Sequence, residues 1–454
     1  MIDGGSSSRA GRSAGDGTGT ARRRLGSVVQ AGCTISVITL IVFVLVNLAL
    51  SPFAGETQDV KAVRPTIGWS TEAAQKWIDH YGLDTVRRVY PGKSDDEIRK
   101  IIFNKFQVGN RYEPFVEFLP DPIFMHDPVF NVDMGIHEAG FRLGGRDQGP
   151  WPIDKSKLNV FVFGGSTTFG TGAADDETIP AFLQKYLREE MGPTVDAYNF
   201  GVGAYYSSQE LINFWRLARQ GDFPDLVVFV DGLNDYFQTT EDTAHSGYYR
   251  TFEAARVSLL KQLQLDRGSL WHLAAAVELS PVFRFVENLK QHQLPTETPG
   301  AENLNEGKRT VLRTFDAADE KHVVDVTNRL LNNFRLASGM ADSIGAESAF
   351  IVQPTPMYDY DLSRHPFPVP EWHQYTRIGY PLLKQRLESG TGGPEHVVWC
   401  ASLGEDAPAN VPLYVDPVHY SAAMNKLIAR CIIAGLRKDG SFDRLADKIR
   451  KKAG

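Results

Sequence analysis

From Leu158 onward the sequence alternates short, continuous apolar runs with longer amphipathic stretches, and this alternation restricts the chain to a narrow set of folds. Residues 158–163 read as a buried strand, 177–190 as a helix and 195–199 as a second strand. A helix over 207–221 follows, opened by Ser207, Ser208, Gln209 and Glu210 as a capping box and stopped at Gly221. Residues 225–230 (DLVVFV) form a third strand and 348–352 a fourth. A last strand at 411–415 leads into a helix whose Met424, Leu427, Ile428, Cys431 and Ile432 fall at helical spacing. Strands without a polar face, separated by helices, imply a parallel sheet covered on both sides: an α/β fold of three layers, α/β/α. Ligands of such sheets bind beyond the carboxyl ends of the strands, so the residues that follow each strand hold the interest.

The rest of the chain is organised around that domain. Of its 454 residues 42% are hydrophobic and 23% charged, ample for a buried core. Residues 1–24, mostly Ser, Gly, Thr and Arg, lack apolar periodicity and read as a disordered cytoplasmic tail. Residues 26–50 read as a transmembrane anchor, since the stretch 28–50 is apolar without one charge and is long enough for ~30 Å of hydrocarbon. Arg22, Arg23 and Arg24 precede it, so the positive-inside rule predicts a single-pass protein with its main domain outside the cytoplasm. A buried core helix fits poorly because the run is too long and too uniformly apolar. A cleaved signal peptide fits less well because the apolar region is long and Pro52-Phe53-Ala54 is a poor cleavage site. A linker at 51–65 and a lead-in segment at 66–150, with a helical stretch near 71–80, precede the main domain of 151–454. A mostly helical insert occupies about 240–342, with a flexible loop at 294–305.

Charge excludes one class of partner. Five Arg and two Asp give the tail +3, which leaves −10 for the remainder of a chain of net charge −7, so nucleic acid is not expected. Cys400 and Cys431 follow the anchor, where an oxidising compartment would permit a disulfide; two small buried side chains is the other reading. Cys33 lies within the apolar run and does not resemble a lipoprotein cysteine.

Four polar groups stand just past the predicted strands. After the first comes Gly164-Gly-Ser-Thr-Thr-Phe-Gly170, which puts Ser166 at the mouth of the sheet. The turn lacks the Lys-Ser/Thr ending of a phosphate loop and the G-x-G-x-x-G of a dinucleotide fold. Thr168 stands where a Gly-x-Ser-x-Gly elbow needs glycine. After the second strand, the amides of Gly203 or Ala204, next to a helix start, are placed to donate to an anion. After the third, Asn234 offers a neutral side-chain donor to an oxyanion, although Asn and Asp also suit any turn. After the last, Pro417 makes Asp416 a natural N-cap with His419 in the opening helical turn, where the carboxylate orients the imidazole. Each group alone suits an ordinary turn; together they complete a nucleophile, a base, an orienting acid and oxyanion donors. His126, His137 and His373 show no metal spacing, so neither a zinc site nor a cofactor is expected. Tyr205, Tyr206 and Gln353 lie near strand ends, where packing explains them as well as a pocket does.

The blocks FGGSTTFG, NFGVGAYYSSQE, DGLND and DPVHYSAAMNKLIA, in that order, resemble the SGNH hydrolases, the GDSL esterases and lipases. The resemblance implies a flavodoxin-like fold and a triad of Ser166, Asp416 and His419. It also implies an oxyanion hole from the Ser166 amide, a second-block amide and the Asn234 side chain. Gly165 replaces the Asp of Gly-Asp-Ser, and the second-block glycine falls on Ala204 or, with a shift of one, on Gly203. The expected function is a serine ester hydrolase working through an acyl-enzyme on an ester-bearing small molecule, lipid or glycan. An O-acyltransferase of envelope glycans with the same triad, or an inactive glycan-binding module, are the alternatives.

Overall fold

The computed structural model describes residues 67–105, 108–123, 134–145, 147–237, 310–390, 392–394, 396–405 and 407–453, with scattered positions between 38 and 49. The chain divides into two compact units, one of Met1–Gln58 with Asp266–Thr296 and one of Asp59–Leu265 with Glu297–Gly454. The parallel sheet lies in the second. The expected tail, the linker, the 294–305 loop and most of the 26–50 anchor lie outside the described residues, among which no helix is long and apolar enough to cross a membrane.

Five parallel strands make the sheet: β3 (Leu158–Gly164), β4 (Val195–Gly201), β5 (Leu226–Asp231), β6 (Glu347–Val352) and β7 (Val397–Trp399). Their order is β4-β3-β5-β6-β7, the 2-1-3-4-5 order of flavodoxin-like sheets. That order reverses direction between β3 and β5, and the crevice at the switch lies beyond their carboxyl ends.

Alternation along the strands assigns each side chain to a layer. Leu158, Val160 and Val162 pack against α5 (Ile179–Met191), α10 (Ala422–Lys438) and α11 (Ser441–Ala453) through Ile179, Leu183, Met424, Ile428, Ile432 and Leu445. Phe161 and Phe163 pack against α6 (Ser207–Arg219), α8 (Ala317–Ser343) and α9 (Thr376–Glu388) through Phe214, Leu217, Leu330, Phe334 and Leu383. Parallel register places Phe200, Phe163, Phe229 and Phe350 side by side across four strands. Their rings stack at 5.5, 5.1 and 5.5 Å between centroids. Each such contact adds about 0.5–1.5 kcal/mol beyond area burial and resists a slip of register.

Two expected elements are corrected. Residues 411–415 are not a strand of the sheet: Pro412 lacks an amide donor, and the segment folds back on itself, with Val415 donating to the His419 carbonyl, Ser421 donating to Leu413, and Tyr414 bridging Tyr420. The edge position belongs to β7, three half-buried residues too short to stand out in the sequence. Ser207 is not an N-cap either; Tyr206 holds that position without a side-chain capping bond, and the Ser207 hydroxyl donates to Asp235 at 2.5 Å. Of the insert at 240–342, the described part is mainly α8, whose capping box is formed by Asp316 and Asp319.

The lead-in segment holds three helices where one stretch is legible: α1 (Ile67–Tyr81), α2 (Leu83–Val89) and α3 (Asp95–Lys105), followed by the hairpin β1 (Asn110–Glu113) and β2 (Glu117–Pro120). Trp77, Ile78, Val86, Ile98 and Ile102 form their own small core, closed by Phe367 and Val415 of the main domain. Cys400, just past β7, and Cys431 of α10 are joined by a disulfide with 6.1 Å between Cα atoms, which decides between the two readings of that pair.

Candidate active site

Ser166 opens α4 (Ser166–Phe169), the single turn of helix that follows β3. Glycine precedes it for a steric reason, because a Cβ on Gly165 would lie 2.2 Å from Asn234 Nδ2 and 3.0 Å from the Tyr205 carbonyl. The far end of α4 is tied down by a buried Arg142, whose guanidinium donates to the carbonyls of Phe169, Gly170 and Ala173 and pairs with Asp175 at 2.9 Å. Asn199, at the end of β4, donates to the Thr168 and Phe169 carbonyls. The loop behind Ser166 is therefore held by two buried side chains from other elements.

Asp416 and His419 sit in the folded-back loop, not in a helix. The helix starts only at Ala422 and is capped by Ser421, whose hydroxyl accepts from Met424 at 3.4 Å. The expected N-cap of Asp416 is thus corrected, yet its local bonding resembles one: Asp416 Oδ1 accepts the amides of Val418 at 3.0 Å and His419 at 2.8 Å. An antiparallel bridge of Tyr414 with Tyr420 closes this loop, and His365 holds its back. His365 Nδ1 accepts from the Phe367 amide, so Nε2–H donates to the Pro417 carbonyl at 3.2 Å.

These supports produce one continuous chain of hydrogen bonds. Asp416 Oδ2 accepts from His419 Nδ1 at 2.6 Å, which leaves Nε2 unprotonated to accept the Ser166 hydroxyl at 2.8 Å. Burial pushes the Asp416 carboxyl up, but the charges and hydrogen bonds of His419 and Lys105 outweigh it and hold the group well below the usual carboxylate range. Asp416 therefore stays ionised while almost fully buried. Burial lowers His365 to about 4 and His373, beside His419, to about 3, so both rings are neutral at ordinary pH.

Oxyanion candidates gather at the same strand ends. Asn234 lies in α7 (Leu233–Phe237), directly after β5. Its Nδ2 donates one N–H to the Tyr205 carbonyl at 2.6 Å, which leaves the second N–H for a ligand. Among the described residues no carbonyl or side chain accepts from the amides of Ser166, Gly203 or Ala204. Ala204 has φ +66°, the left-handed conformation that favours glycine, consistent with its place on the second-block glycine. Tyr205 donates to carbonyls of Val116 and Phe118, and Gln353 accepts from Thr167 at 2.8 Å; both are packing contacts.

Lys105, Arg142 and His365 escape sequence reasoning. Lys105 Nζ lies 2.6 Å from Asp416 Oδ2 although 311 positions separate them, and nothing local marks it. Behind α7 three buried carboxyls crowd together. Burial first, then the Asp231 and Asp235 charges, push Glu210 well above the usual range, and burial raises Asp231 and Asp235 as well. Among the described residues no group of His, Cys, Asp and Glu side chains is arranged to hold a metal ion.

The sequence matches the family model described as GDSL-like Lipase/Acylhydrolase over residues 160–432, more than half of the chain. No curated protein matches it. Solved structures that it resembles include the lipase Lip_vut3 from goat rumen metagenome, at 12% identity and TM-score 0.35, covering 62% of this chain and 97% of that one. Axe2, an acetylxylan esterase from Geobacillus stearothermophilus, gives 12% identity and TM-score 0.31 over 62% of this chain and 94% of that one. LAE5, an alpha/beta hydrolase enzyme from the metagenome of Lake Arreo, Spain, gives 12% and 0.31 over 61% and 94%. Likenesses at that level carry no argument, and the assignment rests on the family model. Its match takes in all of the parallel sheet except the first two residues of β3, together with the bonded Ser166, His419 and Asp416; the chain belongs to the GDSL-like lipase/acylhydrolase family, within the SGNH superfamily, and is an ester-bond hydrolase.

Proposed function

We propose that the protein cleaves an acyl ester of a glycan or lipid outside the cytoplasm, through an acyl-enzyme on Ser166. The observation that carries this reading is the unbroken chain from Ser166 Oγ through His419 to Asp416, at 2.8 and 2.6 Å. His419 Nε2 takes the hydroxyl proton as Oγ attacks the ester carbonyl. Asp416 stabilises the imidazolium that forms. The tetrahedral oxyanion is received by the Ser166 amide, the amide of Gly203 or Ala204, and the Asn234 side chain. Collapse of the intermediate breaks the ester C–O bond, and the leaving alcohol takes the proton from His419. Water, deprotonated by the same nitrogen, then releases the carboxylic acid and restores the serine.

A cavity of about 160 Å³ next to Lys105, the partner of Asp416, is lined by Asn104, Lys105, Met134, Arg142, Phe169 and Gly203, among others. Placement outside the cytoplasm draws support from the uncharged stretch 28–50 behind three arginines and from the Cys400–Cys431 disulfide. In that stretch Ile38, Ile41, Val42 and Leu45 are helical, with exposed apolar side chains.

A serine-directed fluorophosphonate tests the chemistry. Wild type should label and Ser166→Ala should not, with ester turnover at least about 10³-fold lower in the variant. Labelling that persists in Ser166→Ala, or a folded wild type that never labels, would sink the reading. Acyl release in water alone identifies a hydrolase, whereas release that requires an added glycan acceptor identifies a transferase.

A further inference from the structure

The Asp416 carboxylate is more heavily engaged than a triad needs. Oδ1 takes two backbone amides, and Oδ2 takes both His419 Nδ1 and Lys105 Nζ, each at 2.6 Å. Lys105 ends α3, outside the span matched by the family model. Its side chain is 16% exposed and that of Asp416 3%, so water screens the pair little. The ammonium also lies 5.1 Å from the Trp77 ring centre, and Ile101 and Ile102 seat α3 in the lead-in core. The cation is thus held by a small helical unit built separately from the sheet.

We propose that Lys105 is a positioning residue for the hydrolytic centre, whose ammonium shares Asp416 Oδ2 with the imidazole and sets the lower pH limit at which His419 still works as a base. This rests on the acyl-enzyme reading above. A carboxylate bonded to imidazole alone favours the imidazolium, and a protonated His419 cannot accept the serine proton. A second positive charge on the same oxygen opposes that protonation. It also pins the carboxylate, so that Oδ2 faces Nδ1 although Asp416 lies in a loop. Arg142, on the same cavity as Lys105, is paired with Asp175 at 2.9 Å, and the tyrosine and histidines near the pair are neutral. Burial raises Tyr90, at the end of α2, well above its ordinary range, with its hydroxyl on the Gly172 carbonyl; His365 and His373 are held uncharged as described. The two side chains that do most to hold Asp416 ionised are His419 and Lys105.

The test compares full-length wild type, Lys105→Met and Lys105→Arg. Methionine keeps the apolar stem against Trp77 and removes the charge; arginine keeps the charge. One readout is the pH dependence of kcat/KM with p-nitrophenyl acetate, and the other is the NMR titration of ring-labelled histidines, with His419 assigned from His419→Ala. In Lys105→Met the acid limb and the His419 titration should both move up by roughly one pH unit. That costs about tenfold in kcat/KM on the acid side and less than about twofold on the alkaline plateau. Lys105→Arg should lie close to wild type. A Lys105→Met profile that is lowered uniformly without displacement, or an arginine variant displaced as far as methionine, overturns the proposal. The NMR arm needs no turnover: a wild type without Ser166-dependent activity defeats the acyl-enzyme reading, while the titration still decides whether Lys105 acts on His419.

Discussion

In the proposed mechanism Asn234 serves two partners. One N–H of its amide is fixed on the Tyr205 carbonyl, which leaves the other to donate to the oxyanion. Asn234→Ala should therefore lower kcat by about 10²–10³-fold with little change in KM, measured as steady-state turnover of a chromogenic ester. An equal loss in KM alone would assign the residue to ground-state binding. At this scale Ser166, Asn234, Asp416 and His419 are legible because each stands a few residues past an apolar run or in a tight local pattern. Lys105 and Arg142 are not, because their partners are distant in sequence and a lone Lys or Arg reads as solvated surface.

Among elements, the nucleophile turn depends most on exact packing. Gly165 faces Asn234 so closely that an added methyl group meets Nδ2 at 2.2 Å. Gly165→Ala should displace Asn234 and reduce kcat to a level near that of Asn234→Ala, and the double variant should lose little more than either single one; additive losses would separate the two residues. The central strands are readable within one or two residues because strands buried on both faces leave an uninterrupted apolar signature. The run at 411–415 carries the same signature and is no strand, since its amides and carbonyls bond to the returning segment 419–421. Hydrophobicity reports burial; it does not report which backbone supplies the partner.

Over the whole molecule, the carboxyls of Glu210, Asp231 and Asp235 make stability depend on pH. Glu210 titrates well above its unfolded value in the fold, so the folded state keeps a proton that the unfolded chain releases. Its stabilising effect is complete below the unfolded value and is lost as pH rises toward the folded one. The melting temperature should fall as pH rises above the ordinary glutamate range, and Glu210→Gln should flatten that fall, at up to about 1.4 kcal/mol per pH unit for one proton; parallel melting curves for the two proteins would refute it. Asp416 runs the other way, losing stability as pH drops toward its depressed folded value. The α/β class, four of the five strands of the sheet and the order of the four motif blocks are all legible in the amino-acid sequence. Those follow from local periodicity and turn chemistry. Contacts made only in the folded chain put β7 at the edge of the sheet, place Asp416 and His419 in a bridged loop, join Cys400 to Cys431, and bring a lysine of the lead-in helices to Asp416. Each of these depends on contacts between residues far apart in sequence, for which no local pattern carries information.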